Sequence, residues 1–241
     1  MNASHQSLKR SSAQIKYEIR SLISLYPELF YPLVQLKSSR KQAVSKNTDI
    51  TIEGFPRCGN SFAVNAFREA QPHPLKIADH LHASAQVIRS AQLQVPTLVM
   101  IREPTAAVIS LSALALELME LREEQDTRPS LGQLLRSYTR FYQRILPYRD
   151  YYVLGTFEEV TRDFGEVINK INKKLNTNFT QFEHNENNVK AIFQATGLHT
   201  GPSSRRNQIK SILRKEMTSP QIKSMADKAH EIYEKLMQTA S

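Results

Sequence analysis

The stretch from Asp49 to Phe62 constrains the fold of this chain most, because it joins a β-branched run, two glycines and the start of a helical pattern. Gly54 and Gly59 stand five positions apart, and a hydroxyl residue, Ser61, follows them. Strand, glycine loop and helix in this order are typical of a phosphate-binding loop. Glycines let the backbone adopt positive φ and approach a ligand, while the first amides of the helix point at an anion. The stretch predicts an anion site; the alternative is a chance glycine pair in a strand–helix turn.

This loop differs from the loop of nucleotide triphosphatases, Gly-x4-Gly-Lys-Ser/Thr. Asn60 occupies the position of the lysine that reaches the β- and γ-phosphates, and a cation, Arg57, lies inside the loop instead. The positive charge is therefore expected at a different atom of the ligand. The loop also holds Cys58, which we interpret as a small filler residue; the alternative is a nucleophile acidified by the anion site.

The composition bounds the class of protein. A chain of 241 residues with 40% hydrophobic residues can bury the core of one α/β domain. Its net charge of +9 predicts an anionic partner without distinguishing a nucleotide, a polysaccharide, a nucleic acid or a lipid headgroup. A single cysteine excludes an internal disulfide framework, and we expect a cytoplasmic protein with no membrane span. The sequence does not predict the oligomeric state.

The chain divides into an N-terminal helical segment with a basic linker, residues 1–48, and an α/β domain, residues 49–241. Apolar residues recur at helical spacing from Ile15 to Leu36. We interpret this face as packed on the domain; an interfacial membrane helix is the alternative. Residues 37–46 are rich in Ser, Lys and Arg and are expected to form a solvated linker.

Strand and helix patterns alternate through the domain. Strands are predicted at residues 49–53, 75–79, 96–101 and 151–156. Helices are predicted at residues 62–70, 84–92, 104–118, 130–148, 163–175, 203–217 and 220–238, with residues 176–202 irregular. The alternation predicts a three-layer α/β/α fold with a mostly parallel sheet of the nucleotide-binding type.

A basic residue, Arg102, follows the continuous apolar run of the third predicted strand. Open α/β sheets bind ligands at the carboxyl ends of their strands. A magnesium-dependent triphosphatase would place an aspartate there, whereas a guanidinium suits a phosphomonoester. The alternative is a salt bridge between Arg102 and a nearby carboxylate.

Two motifs resemble those of sulfotransferases that use 3′-phosphoadenosine-5′-phosphosulfate (PAPS). The run Gly54-Phe-Pro-Arg-Cys-Gly-Asn-Ser61 resembles the loop that binds the 5′-phosphosulfate. The run Arg102-Glu-Pro-Thr-Ala-Ala-Val-Ile-Ser110 resembles the 3′-phosphate motif of the same family. The resemblance covers roughly residues 49–215. It implies sulfonate transfer from PAPS, without a metal, to a hydroxyl or amine of an unknown small molecule or saccharide. It implies no nucleic-acid partner.

The resemblance also implies roles for the loop residues. Arg57 would lie at the oxygen that bridges the sulfonate and the 5′-phosphate, and would stabilise the charge that grows as the bond breaks. The family usually has lysine at this position, and arginine is a poor proton donor, so an acid role does not carry over. The 5′-phosphate would be bound by Ser61 and by the backbone amides of Cys58, Gly59 and Asn60.

The 3′-phosphate would be bound by Arg102 and by the Ser110 hydroxyl. The resemblance implies that the late basic segment of the family corresponds to Ser203-Ser204-Arg205-Arg206, in which we predict Arg205 as a further cofactor-binding residue. The expected Arg-Lys-Gly is absent there, so a solvated basic face is the alternative.

The general base of this family is a histidine after the second strand, and His80-Leu81 resembles that His-Leu pair. His82 lies two positions further on and would point to the same side if the segment is extended. We prefer His80 and retain His82 as a candidate; structural histidines are the alternative.

Three functions remain open on the sequence. The first is the PAPS-dependent sulfotransferase. The second is a phosphotransferase that uses Mg-ATP, which the missing lysine and aspartate of the triphosphatase motifs disfavour. The third is a non-catalytic polyanion- or RNA-binding protein, which predicts steep salt dependence and no selective nucleotide binding.

Overall fold

The computed structural model describes residues 3–36, 38–196 and 203–238 and places a four-stranded sheet at the centre of the chain. The strands are β1 (Ile50–Gly54), β2 (Ile77–Asp79), β3 (Thr97–Ile101) and β4 (Val153–Thr156). All pairings are parallel, in the order β2-β1-β3-β4. Every residue of the four strands is buried, as in parallel sheets that helices cover on both faces. The predicted α/β fold with a parallel sheet is confirmed.

Helices make up most of the remaining described chain. They are α1 (Ala3–Ile23), α2 (Pro27–Gln35), α3 (Asn60–Ala70), α4 (Ser84–Leu93), α5 (Pro104–Leu121), α6 (Leu131–Ile145), α7 (Phe157–Arg162), α8 (Phe164–Leu175), α9 (Glu186–Thr196), α10 (Ser204–Glu216) and α11 (Pro220–Gln238). Short 3₁₀ helices run over Ser38–Gln42 and Leu146–Tyr151. Capping side chains fix several starts: Ser130 with Gln133 before α6, and Thr156 with Glu159 before α7.

The strand order creates a crevice at one edge of the sheet. The chain passes from β1 through α3 to β2 on one side, and from β2 through α4 to β3 on the other. Right-handed crossovers then put α3 and α4 on opposite faces, and the contacts agree, since α3 packs on α8 and α9 while α4 packs on α6. The direction of winding changes between β1 and β3, so the loops after these two strands diverge. Ligands bind at such a point in open α/β sheets.

One helix among the described residues, α5, has the length and apolar composition of a membrane span. Half of it is buried, and it packs on α6, α10 and α11. Its apolar composition is therefore accounted for by its place inside the fold.

The prediction that the N-terminal apolar face packs on the domain is wrong. The side chains of Ile15, Ile19 and Leu29 are more than half exposed, while Leu25 and Val34 are buried. The expected solvated linker is also wrong in part. Val44 is buried, and the Gln86 side chain bonds its backbone N–H and the carbonyl oxygen of Gln42. The division of the chain at residues 48 and 49 stays a prediction.

The prediction that residues 176–202 are irregular is wrong over α9, which packs on α3. Residues 197–202 of that stretch lie outside the described residues. The other predicted strands and helices are confirmed within a few residues at each end.

Candidate active site

The loop between β1 and α3 has two residues in the left-handed region, Arg57 with φ of 72° and Gly59 with φ of 97°. Gly54, expected to need the same freedom, is required for a different reason. A Cβ at Gly54 would lie 2.4 Å from the carbonyl oxygen of Met100 on the neighbouring β3. The first glycine therefore permits the close approach of two strands, and the second permits the turn into the helix.

Helix α6 stabilises this loop through the hydrogen bonds of one tyrosine. The Tyr142 hydroxyl donates to the carbonyl oxygen of Met100 at 2.6 Å and accepts from the N–H of Phe55 at 3.2 Å. Asn60 adds a second brace, because its side-chain amide donates to the Phe55 carbonyl at 2.9 Å. From the sequence, Tyr142 was predicted only as a member of the apolar face of a helix. The signal for its role is a tyrosine at a core position, whose hydroxyl needs a partner.

The Cys58 side chain points into the core beside Tyr142 and is fully buried. Burial raises the pKa of its thiol to about 12. The thiol is therefore neutral, which agrees with the interpretation as a filler residue and disfavours the nucleophile.

A cavity of about 590 Å³ opens at the carboxyl ends of β1 and β3 and brings most of the predicted residues together. Predicted residues that line it are Arg57, Gly59, Asn60, Ser61, His82, Arg102 and Ser110. The two motifs are in direct contact, since Arg57 Nε donates to Ser110 Oγ at 3.2 Å and Arg102 Nη1 donates to the Arg57 carbonyl at 3.2 Å. Residues 45 to 53 positions apart in the chain thus form one site.

Four cationic side chains converge on this cavity: Arg57, Arg102, Arg206 and Lys210. Burial lowers the pKa of Arg57, and the charges of Arg206 and Arg102 lower it further. The pKa of Lys210 is lowered in the same way, by burial and then by these three arginines and Arg214. Mutual repulsion of this kind is relieved when an anion binds between the cations. The arrangement suits a ligand with more than one negative charge.

The cavity also contains backbone and side-chain hydrogen-bond donors that an anionic ligand could satisfy. The helix α3 begins after Gly59, so no side chain caps the amides of its first turn. The first turn of α5 differs, because the Glu103 carboxylate accepts from the amides of Thr105 and Ala106. Arg102 Nε is buried without a hydrogen-bond partner in the described part of the chain. An anion at the start of α3 and another at Arg102 would satisfy these groups.

The structure places Arg205 away from the cavity, where it is exposed and forms a bidentate pair with Glu120. The next residue, Arg206, lines the cavity, and one turn further along α10 Lys210 lines it too. Arg206 is buried and donates to Glu117 at 2.6 Å. Burial would raise the pKa of Glu117, but hydrogen bonds from Ser203 and Arg206 lower it below its ordinary value. The segment predicted from the sequence lines the cavity, but through Arg206 and not through the predicted Arg205.

The two histidines adopt a conformation that the sequence did not predict. His80 and His82 have φ of 54° and 50°, so the segment is not extended, and their rings lie 5.9 Å apart. A buried carboxyl group, Glu53, sets this turn by accepting from the backbone amides of Leu81 and His82, both at 3.1 Å. Burial raises the pKa of Glu53 to about 8. Glu53 is a positioning residue that sequence reasoning missed.

The hydrogen bonds of the two rings differ. His82 Nδ1 lies 2.8 Å from the Gly54 carbonyl; a carbonyl only accepts, so Nδ1 carries the hydrogen and Nε2 is the basic nitrogen. Lost solvation lowers the pKa of His82 to about 4. His80 lies between Asp79 at 3.2 Å and the Ser61 hydroxyl at 3.1 Å, and its bond to Asp79 raises its pKa. At neutral pH the basic imidazole nitrogen in the cavity therefore belongs to His82.

A second cavity, of about 490 Å³, adjoins the first. Pro56 and His82 line both cavities, whereas His80 lines only the second. Its remaining wall comes largely from the N-terminal segment and from α6, and it combines apolar and polar side chains in about equal number. Apolar members are Ile23, Leu25, Phe30, Leu33, Val34, Phe55, Leu81 and Phe141. Its polar members include hydroxyl groups and Arg20, and no carboxylate is among the lining residues that the structure describes.

Comparisons with known proteins give matches to solved structures. No family model and no curated protein matches the sequence. Among solved structures, the chain is similar to a mouse sulfotransferase, SULT7A1, complexed with PAP, at 14% sequence identity and a TM-score of 0.43. The alignment covers 81% of this chain and 86% of that chain. A structural neighbour is thus a sulfotransferase, and at this identity the chemistry of the site depends on this chain's own residues.

Proposed function

We propose that the protein is a sulfotransferase that moves a sulfonate group from PAPS to an acceptor hydroxyl. The observation that carries the proposal is the direct contact of the two motifs, Arg57 with Ser110, inside one cavity lined by four cations. PAPS bears a phosphosulfate and a separate 3′-phosphate on one nucleoside. A cavity with two sets of anion donors, one at the start of α3 and one at Arg102, suits such a ligand.

The cavity offers a place for each part of PAPS. The uncapped amides of α3 and the Ser61 hydroxyl suit the 5′-phosphate, and Arg102 with Ser110 suits the 3′-phosphate. Lys210 borders both this cavity and a smaller recess beside Arg102, so it can add a charge to the 3′-phosphate. Apolar side chains complete the wall and suit the adenine base: Leu111, Leu114, Phe157 and Phe193.

In the proposed reaction, the acceptor oxygen attacks sulfur and a new S–O bond forms. The bond between sulfur and the oxygen of the 5′-phosphate breaks, and its electron pair stays on the phosphate of adenosine 3′,5′-bisphosphate. Arg57 stabilises the charge that grows on this leaving group. The acceptor proton goes to His82 Nε2, because His82 lies on the wall shared by the two cavities and is neutral at physiological pH. His80, the preferred base on the sequence alone, instead positions Ser61.

The second cavity suggests the class of acceptor. Its apolar side chains favour a molecule with a hydrocarbon or aromatic body, while its serine hydroxyls, Gln42 and Arg20 can pair with a few polar groups. A cationic amine finds no carboxylate among the described residues that line it, while Arg20 is present at its edge. We therefore propose an apolar alcohol or phenol, neutral or bearing an anionic group away from the reacting hydroxyl.

A donor-and-acceptor assay tests this function. The protein is incubated with PAPS and, separately, a phenol, a long-chain alcohol or an amino sugar, and the sulfated product and adenosine 3′,5′-bisphosphate are measured by mass spectrometry. We expect transfer to the phenol or the alcohol, and loss of transfer in His82→Gln. If the protein sulfated none of these acceptors from PAPS but phosphorylated one of them with Mg-ATP, the function would be phosphotransfer and the proposal would be wrong.

A further inference from the structure

The N-terminal segment presents a set of exposed apolar side chains, here called the stripe, on its two helices. Eight of the twelve large apolar side chains that are exposed in the described residues belong to it, and the other four are scattered. The members of the stripe are Leu8, Ile15, Ile19, Leu22, Tyr26, Leu29, Leu33 and Leu36. Within α1, Leu8, Ile15, Ile19 and Leu22 follow one another at intervals of seven, four and three positions, which keeps side chains on one side of a helix; Leu29 and Leu33 are four apart on α2. Exposed apolar surface of this extent marks an interaction site.

The segment is attached to the rest of the protein through a different side of α1. Glu18 accepts from Arg136 at 2.6 Å and from Arg140 at 2.9 Å, and the Ser21 hydroxyl donates to Ser137 at 3.1 Å. These contacts fix α1 against α6. The stripe therefore faces outward on a helix that is held in place, and it is not the buried face of a detached segment.

The charges beside the stripe point to the partner. Lys9, Lys16 and Arg20 are exposed and recur at intervals of seven and four, so they form a row along one edge of the stripe on α1. Glu18 is the acidic residue of α1, and its charge is taken by the two arginines of α6. The exposed surface of α1 thus combines an apolar stripe with a cationic edge. This combination is typical of helices that lie in the interface of an anionic membrane.

We propose that the stripe docks on the surface of a lipid bilayer that contains anionic lipid. The apolar side chains insert at the level of the acyl chains, and the cationic row contacts the headgroups. Two copies of the chain that met through this stripe would bring their cationic rows close together, which disfavours self-association. Anionic lipid is enriched on cytoplasmic membrane surfaces, which agrees with the predicted cytoplasmic location.

The same surface borders the second cavity. Leu33 of the stripe and Arg20 of the cationic row both line it. Docking would thus bring this part of the cavity wall near the bilayer. The docking itself does not depend on the chemistry proposed for the site, and it can be measured without nucleotide.

Vesicle co-sedimentation tests the proposal. The full chain is mixed with vesicles of phosphatidylcholine and phosphatidylserine, and in parallel with vesicles of phosphatidylcholine alone. We expect binding to the anionic vesicles that weakens at high salt. The double variant Ile15→Ser/Ile19→Ser should bind the anionic vesicles at least about tenfold more weakly than the wild type. The variant Lys9→Gln/Lys16→Gln should lose about fivefold in affinity for each cation removed.

A matched control is Leu121→Ser/Ile212→Ser, which removes two exposed apolar side chains outside the segment and should bind as the wild type does. Circular dichroism melts check that each variant is folded; all the changed side chains are exposed, so the midpoints should agree. Equal binding by the stripe variant and the control would overturn the proposal. Failure of the wild-type protein to bind anionic vesicles would also overturn the proposal. If analytical ultracentrifugation then showed a dimer that is lost in Ile15→Ser/Ile19→Ser, the stripe would be an interface between two copies of the chain.

Discussion

At the scale of single residues, Arg57 connects the two halves of the site. Its backbone takes the left-handed turn of the loop, its carbonyl accepts from Arg102, and its guanidinium bonds Ser110. An arginine keeps its charge even where burial lowers its pKa, so the cation is present whenever a ligand enters. This makes Arg57 the residue best placed to act on the leaving group of the proposed reaction.

Replacement of Arg57 by alanine should therefore lower kcat about 100-fold or more, because it removes a charge that acts mainly in the transition state. Arg57→Lys should recover a large part of kcat. Steady-state rates of sulfonate transfer at saturating PAPS measure the effect. The control is Arg122→Ala, an exposed arginine just beyond α5 and outside the cavity. A rate for Arg57→Ala near that of the control would refute the charge-stabilising role.

The two histidines predict different pH profiles. A general base acts in its neutral form, so activity is lost as the pH falls through its pKa. The pKa of His82 is lowered to about 4, whereas that of His80 is raised by Asp79 above its ordinary value. With His82 as base, kcat/KM should stay high from neutral pH down to about pH 5 and fall below it. His82→Gln should abolish this activity, and His80→Gln should retain most of it.

A fall in kcat/KM that begins above pH 6.5, together with loss of activity in His80→Gln and not in His82→Gln, would assign the base to His80 instead. The comparison of the two variants with the wild type at each pH separates a titrating base from general acid unfolding. Circular dichroism over the same range supplies that control.

At the scale of elements, the strand and helix patterns predicted the sheet well, because its strands are short, apolar and buried on both faces. They predicted poorly where tertiary contacts decide. The helix α9 lies in an Asn-rich stretch without strong periodicity, and it is held by packing on α3, where Phe193 contacts Phe62. The turn at His80 is set by Glu53, which is distant in the sequence, so local spacing could not reveal it.

The contact between α6 and the loop gives a prediction at this scale. Tyr142→Phe removes the hydroxyl that bonds Phe55 and Met100, and it leaves a buried N–H of the loop without that partner. We expect the free energy of unfolding to fall by about 1–3 kcal/mol. Urea denaturation followed by circular dichroism measures it. The matched change Tyr151→Phe concerns an exposed ring, 54% accessible, and should have little effect. Equal midpoints for both variants would show that the brace contributes no stability.

At the scale of the whole molecule, the sequence predicted the residues at the centre of the cavity better than the residues that surround it. The two motifs located Arg57, Ser61, Arg102 and Ser110, because their residue types are fixed by the anion that they suit. Arg206 lay in the predicted segment but Arg205 was chosen, and Lys210 was not predicted, since the sequence of a basic helix does not show which of its sides faces a cavity. The predicted packing of the N-terminal apolar face is wrong because periodicity shows that a face is apolar and does not show what covers it.

The central claim is that one cavity recognises both phosphates of an adenosine bisphosphate, and isothermal titration calorimetry tests it most directly. The wild type is titrated with adenosine 3′,5′-bisphosphate, with AMP and with Mg-ATP, and the first is repeated with Arg102→Ala and with the control Arg122→Ala. We predict that the bisphosphate binds without added metal and more tightly than AMP. Arg102→Ala should lose about 10–100-fold in affinity for it, and Arg122→Ala should lose none. Equal affinities for the bisphosphate and AMP, or an Arg102→Ala variant that binds as the wild type does, would contradict the claim.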